Sequence, residues 1–194
     1  MTQKTSVVSM LLLIFVLVIP VIIALVRGGN LGNLTDMSVH GWWLLFVGFA
    51  MQIVSNILGP DQGTLIRGLV LGSYVVLLGV VAANWSRPGM WVTGLGLFMN
   101  FLVIAANGGM PVLPEAVELA GGTLTLPLDA KHVILDGTTR LPFLADLLPL
   151  PGNVISIGDV FFAIGLGVFI EDQVRRPARL FRKGAQTPPG SAAK

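Results

Sequence analysis

The sequence predicts an all-α membrane protein: five transmembrane helices, with a partly helical extracytoplasmic lid between the fourth and the fifth. Three observations carry that expectation. The chain has 194 residues, 54% hydrophobic and only 11% charged, with mean hydropathy +0.82, whereas soluble domains carry about 25% charged residues. Five apolar stretches approach the ~20 residues that a spanning helix needs. Five of the twelve Lys and Arg (Arg175, Arg176, Arg179, Arg182 and Lys183) crowd behind the last of these stretches, where a cytoplasmic anchor belongs.

The first stretch, Val7–Val26, is uncharged, with Pro20 as a kink site. Its apolar run is too long for a signal peptide and no small-x-small site follows, so it reads as an anchor. The second runs from about Gly41 to Leu58, the third from Gly68 to Trp85, the fourth from Met90 to Ala106 and the fifth from Val154 to Ile170. Together they make a membrane domain over 1–183, followed by a Pro-, Gly-, Ser- and Ala-rich tail, 184–194, whose composition predicts disorder. Gly68, Gly72 and Gly79 in the third stretch, Gly94 in the fourth, and Gly158 and Gly165 in the fifth are spaced to let helix backbones approach closely. The same faces offer a surface for a homo-oligomer.

Orientation follows from charge. With the basic cluster in the cytoplasm, five spans leave the N-terminus outside and put the connection 107–153 on the outer face. That connection carries two basic residues, Lys131 and Arg140, against Glu115, Glu118, Asp129, Asp136 and Asp146, a net −3. Trp42, Trp43, Trp85 and Trp91 fall at the cytoplasmic ends of spans, as belt residues do. The expected location is therefore the bacterial plasma (inner) membrane, multi-pass, with membrane lipid as a partner. Basic residues form a tail and no folded patch, so nucleic acid is not an expected partner.

The outer segment is too long and too apolar for a slack loop. Asn107-Gly108-Gly109-Met110-Pro111 stops the fourth helix. Pro114–Ala120 is a short helix, with Pro114 at its first position and Glu115 near its N-terminus. Thr123–Leu128 alternates as an extended segment would, and Asp136-Gly137 is a turn. Leu141, Phe143, Leu144, Leu147 and Leu148 fall at helical spacing, which predicts an interfacial helix over Leu141–Leu148, packed on the bundle as a lid.

Asp159 stands out chemically, because a carboxylate within an apolar span must face protein, water or a partner. The candidate polar site comprises Asp159, Asn107, Asp146, His132, Lys131 and Ser156. Gln52, Ser55 and Asn56 share one helical face nearby. No metal or cofactor is expected. The chain has no cysteine, and one outer histidine among carboxylates matches zinc ligand sets poorly. A Ser156–His132–Asp hydrolase lacks the nucleophile-elbow pattern. The plain alternative is an ion pair of Asp159 or Asp146 with Lys131 or Arg140, tying the lid down.

Taken in order, Arg27-Gly28-Gly29, Asn107-Gly108-Gly109-Met110-Pro111-Val112, Lys131-His132, Thr139 with Leu141-x-Phe143-Leu144-x-Asp146, Pro149-Leu150-Pro151 and Ser156-Ile157-Gly158-Asp159-Val160 resemble a family of small bacterial integral membrane proteins catalogued as a domain of unknown function. Ala145 departs from the glycine usual there. The resemblance implies a multi-pass membrane protein and supplies no catalytic residue.

The functional expectation is a binding or accessory protein with a polar site at the outer leaflet, for a lipid headgroup or small solute. One rival is a transporter or channel component with Asp159 as coupling carboxylate. The other is a membrane enzyme acting on a lipid-linked substrate, with His132 and Asp159 as acid and base. Convergence of the carboxylates on a cavity separates the first and last of these from a purely structural role. A polar path through the bundle would favour transport.

Overall fold

The structure, a computed structural model, describes residues 18–36, 38–123 and 131–175. Helix α1 covers 18–26, α2 Trp42–Ile57, α3 Gly63–Ala83, α4 Met90–Asn107, α5 Pro114–Leu119 and α6 Ile157–Arg175. Short strands β1 (Met110–Val112), β2 (His132–Ile134), β3 (Asp146–Leu150) and β4 (Asn153–Ser156) lie between α4 and α6. The long helices pack side by side in the order α2, α3, α4, α6. Pro20 of α1 rests against Gly167 on the flank of α6.

Among the described residues two helices, α3 (21 residues) and α4 (18 residues), are long and apolar enough to cross a membrane. The expected count of five does not follow from the described helices. Helix α2 has only 16 residues, α6 carries Asp159, Glu171, Asp172 and Arg175, and much of the first predicted span, like the tail 184–194, lies outside the described residues. Helix α3 starts five residues before the predicted Gly68, because the charge at Arg67 ends an apolar run without ending a helix. The Arg67 side chain runs along the bundle end to reach Gly108, as long basic side chains do. Helix α6 likewise continues past its apolar run: Arg27 pairs with Glu171 at 2.6 Å, and Arg175 pairs with it at 3.4 Å. The C-terminal carbonyl of Val174 accepts the Asn30 amide and the Asn33 side chain, at 3.0 and 2.8 Å, so the turn after α1 caps α6.

Glycine sets the closest packing. On α4, Gly89, Thr93, Gly96 and Asn100 form one stripe that faces α6. A methyl on Gly96 would overlap the Gly158 carbonyl, and one on Gly165 would overlap the Thr93 amide. The predicted packing role thus holds for Gly158 and Gly165. Gly72 abuts Met51 of α2, and Gly94 abuts Val81 of α3. It does not extend to Gly68 and Gly79, which have no neighbour within 4 Å.

The lid is not the helical element that the spacing predicts, and the fold is not all-α. A four-stranded sheet, β2-β1-β3-β4, caps one end of the bundle. Helix α5 forms where Pro114 and Glu115 predict it, but Leu141–Leu148 does not become a helix. Only Pro142–Leu144 makes a 3₁₀ turn, entered through Leu141 at φ 54, after which the chain is extended. The prolines decide this. Pro149 disfavours helical geometry at Leu148, and the residues before it find backbone partners on both sides as β3. It pairs antiparallel with β4 (Asp146↔Ser156, Leu150↔Asn153) and parallel with β1 (Val112↔Asp146). Strand β1 also pairs parallel with β2, Met110 opposite His132. Leu144 is buried as expected for a lid, while Phe143 is 60% exposed. Most of the extended segment predicted at Thr123–Leu128 lies outside the described residues.

Two apolar clusters fill the bundle. Ile66, Val70, Val103, Ile104, Met110 and Leu144 meet under the sheet. Leu77, Val81, Met90, Leu97 and Phe169, flanked by Phe162 and Leu166, fill the far end. Tyr74 touches both.

Candidate functional site

The strand register assembles the site. Glycine at Gly108, φ 73, ends α4 in the left-handed conformation and turns the chain into β1, which brings His132 in on β2. The β3–β4 hairpin sets Asp146 opposite Ser156, and Ser156 is the residue that opens α6. Its Oγ accepts the Asp159 amide at 3.0 Å, while Asp159 Oδ2 accepts the Ser156 amide at 3.0 Å. This reciprocal pair is a capping box. Asp159 therefore lies in the first turn of α6, against a favourable helix dipole, and not five residues deep in a span beginning at Val154.

The Asp159 carboxylate turns inward, as expected, onto Asn100 of α4. Oδ1 accepts Asn100 Nδ2 at 2.8 Å, and the Ser156 hydroxyl lies 2.9 Å from both Asp159 Oδ2 and Asn100 Oδ1. Asn107 is two turns away on α4 and does other work. Its amide donates to and accepts from the Arg140 backbone, both at 2.8 Å, tying the loop before β3 to the helix end. Gln52 donates to Ser73 at 3.2 Å and Ser55 to the Gln52 carbonyl at 2.7 Å, hydrogen bonds that join and stiffen α2 and α3.

A cavity of about 190 Å³ opens between α2, α3, α4, α6 and the sheet, and its polar lining includes Asp146, Asp159, His132, Lys131, Asn100 and Gln52. It gathers four of the six residues singled out in the sequence. Asn107 and Ser156 are not among its lining residues. The Lys131 ammonium donates to the Gln52 carbonyl at 3.2 Å. His132 Nε2 stands 3.9 Å from Asp146 Oδ2, with its side chain 38% exposed at the cavity mouth. Asp146 Oδ1 is buried without a hydrogen-bond partner among the described residues. Lys131 thus reaches from the sheet side to a backbone carbonyl of α2, and the Asp146 carboxylate faces His132.

Burial, and after it the negative charge of Asp159, push the Asp146 carboxyl up from 3.8 to about 7, with His132 pulling the other way. A carboxyl raised on folding adds stability below its unfolded value, and that stability is lost as pH rises through the folded one. Wild-type protein should lose stability between about pH 4 and pH 7, relative to Asp146→Asn. Thermal melts of both proteins across that window check this, and parallel curves would contradict it.

A hydrolase of Ser156, His132 and an aspartate is not formed. The Ser156 hydroxyl is fully buried and committed to capping α6, while His132 sits across the sheet on β2. No group of three His, Cys, Asp or Glu able to hold a metal occurs among the described residues. Asn100 and Tyr74 were not singled out by the sequence reading, yet both line the cavity. Two signals could have found Asn100 and its partner. Thr93, Asn100 and Asn107 recur every seven residues and so share one face of α4, and Ser156-x-x-Asp159 before an apolar run is a capping-box signature.

No curated protein and no solved structure matches the chain. A family match covers residues 36–171, well over half of the sequence. The chain belongs to that family, the family of unknown function DUF5317.

Proposed function

We propose that this is a multi-pass bacterial plasma-membrane protein that holds a small polar solute or a lipid headgroup in the cavity beneath its sheet, at the outer leaflet. The carrying observation is that two carboxylates, Asp146 and Asp159, share a cavity of about 190 Å³ with Lys131 and His132. Evolution of a merely stable bundle would fill such a space with apolar side chains. The size falls below the ~300–1,000 Å³ of pockets for drug-sized ligands, so the occupant has few heavy atoms.

Membrane embedding is supported by exposure. Only 33% of the spanning window of α3 and 44% of that of α4 is buried, and Phe46, Phe49, Ile53, Val75, Phe98 and Ile164 lie open on the helix flanks. The finer five-span reading adds α2, α6 and the stretch Val7–Val26, of which α1 is the described part, to those two helices. Arg27, Arg87, Arg175 and the four tryptophans gather at the end opposite the sheet, as a cytoplasmic face would. A reporter active only in the cytoplasm should work when fused after Lys183 and fail when inserted at the exposed 121–123 turn; the opposite pattern would overturn the orientation.

Transport is the weaker reading. Leu77, Leu97, Phe162, Leu166 and Phe169 pack together beyond Tyr74, an apolar layer between Asp159 and the far end of the bundle. The enzyme reading needs His132 and Asp159 as acid and base, and Asp159 is held by Asn100 and Ser156. Filling the cavity by Ile104→Phe tests the binding reading. Native mass spectrometry of the protein in nanodiscs should lose a retained small molecule or lipid, with the fold kept. A stabilised variant and a wild type that retains nothing would mean the cavity is only a packing defect.

A further inference from the structure

We propose that the cavity takes a primary ammonium group, bound with Asp146 Oδ1 as its acceptor. The inference rests on the binding reading above and names the chemistry of the occupant. The other polar groups are engaged: Asp159 by Asn100 and Ser156, and Lys131 by the Gln52 carbonyl. Asp146 Oδ1 is the exception, an acceptor without a hydrogen-bond partner on a side chain only 10% exposed. A buried acceptor left unpaired is costly, so the missing component is a hydrogen-bond donor. A ligand offering an anionic oxygen there would meet repulsion from two carboxylates.

Charge sharpens the choice. Asp146 and Asp159 set two carboxylates side by side on the lining, which favours a cationic group over an anionic one between them. The upward push on the Asp146 carboxyl has the same origin, since burial and Asp159 both disfavour its ionised form. A divalent metal lacks a third ligand among the described residues. A quaternary ammonium has no N–H to give and would want an aromatic cage, whereas among the described residues Tyr74 is the one Phe, Tyr or Trp in the lining. A primary ammonium on a chain of two or three carbons suits the volume. It has two natural sources at this end of the bundle, a free small amine and the headgroup of an aminophospholipid.

The test uses the full chain in detergent and in nanodiscs, with ethanolamine as the probe. Ethanolamine should raise the melting temperature in a saturable way, while tetramethylammonium, sodium and glycerol do not. Asp146→Asn should weaken ethanolamine binding about tenfold to a hundredfold, as loss of a charged hydrogen bond does. Phosphatidylethanolamine nanodiscs that give the same stabilisation without added amine, where phosphatidylcholine ones do not, assign the headgroup as source; dependence on free amine assigns the solute. Stabilisation by glycerol or inorganic phosphate with none by ethanolamine overturns the ammonium assignment and leaves a binding site. Equal effects of ethanolamine and tetramethylammonium on the wild type overturn it independently of any variant. If no probe and no lipid has an effect, the binding reading itself falls.

Discussion

Gly165→Val should leave little folded protein. The α4–α6 contact is backbone on backbone there: a Cβ on Gly165 would overlap the Thr93 amide, and Gly89 would meet the Gly165 carbonyl in turn. Inserting even one methylene into a packed interior costs about 1–3 kcal/mol, and here the obstacle is main chain, which cannot swing aside. The expected loss exceeds ~3 kcal/mol, a large share of the ~5–15 kcal/mol that holds a typical domain together. Gly79→Ala is the internal control. Its Cβ would meet open space, and alanine in a helix is favoured over glycine by roughly 0.5–1 kcal/mol, so that variant should match or exceed wild type. Abundance in membranes and thermal melts in detergent read both. Equal behaviour of the two variants would refute the packing account.

Asp159→Leu should be the most damaging single change at the site. It removes the capping box with Ser156 and strands the Asn100 amide. Losing the cap costs about 0.5–2 kcal/mol, and each buried polar group left unpaired adds ~1–3 kcal/mol, for a total above about 3 kcal/mol. Asp159→Asn retains one acceptor oxygen for Asn100 but points an NH₂ at the Ser156 amide or at Asn100, for a cost nearer 1–2 kcal/mol. Membrane abundance should therefore fall steeply for leucine and modestly for asparagine. Wild-type levels of both would mean that the carboxylate matters neither to the fold nor to the cavity.

How far the site could be read from sequence depended on which force decided each element. Helices α2 and α4 begin and end within a residue or so of the apolar runs, because burial and chain-reversing glycines coincide at Gly41 and Gly108. Asp146, Asp159, His132 and Lys131 were legible as a group, since charged residues beside apolar spans have few places to go. The sheet was not. Its strands are three to five residues long, too short for periodicity to separate from a helical pattern, and they exist only through pairing between residues far apart in sequence. Leu141–Leu148 has the spacing of a helix and the prolines of something else, and the prolines prevailed. Asp159 turns inward onto Asn100 from the first turn of α6. Placing the helix start at Val154, and not at Ile157, shifted its side chain by nearly a full turn.

The glycine contact between α4 and α6 also divides the cavity wall into parts of unequal freedom. Asn100 and Asp159 hang from two helices locked main chain to main chain, which can neither slide nor roll without collision. Gln52 and Tyr74 hang from helices separated by side chains such as Leu77 and Met51, which have rotamers to spend. On the binding reading proposed above, the side of α2 and β2 is the doorway for a guest, with α4 and α6 as the fixed jamb. Because the chain contains no cysteine, one introduced pair bridging α2 to β2 would bolt that doorway without a competing thiol anywhere else in the molecule.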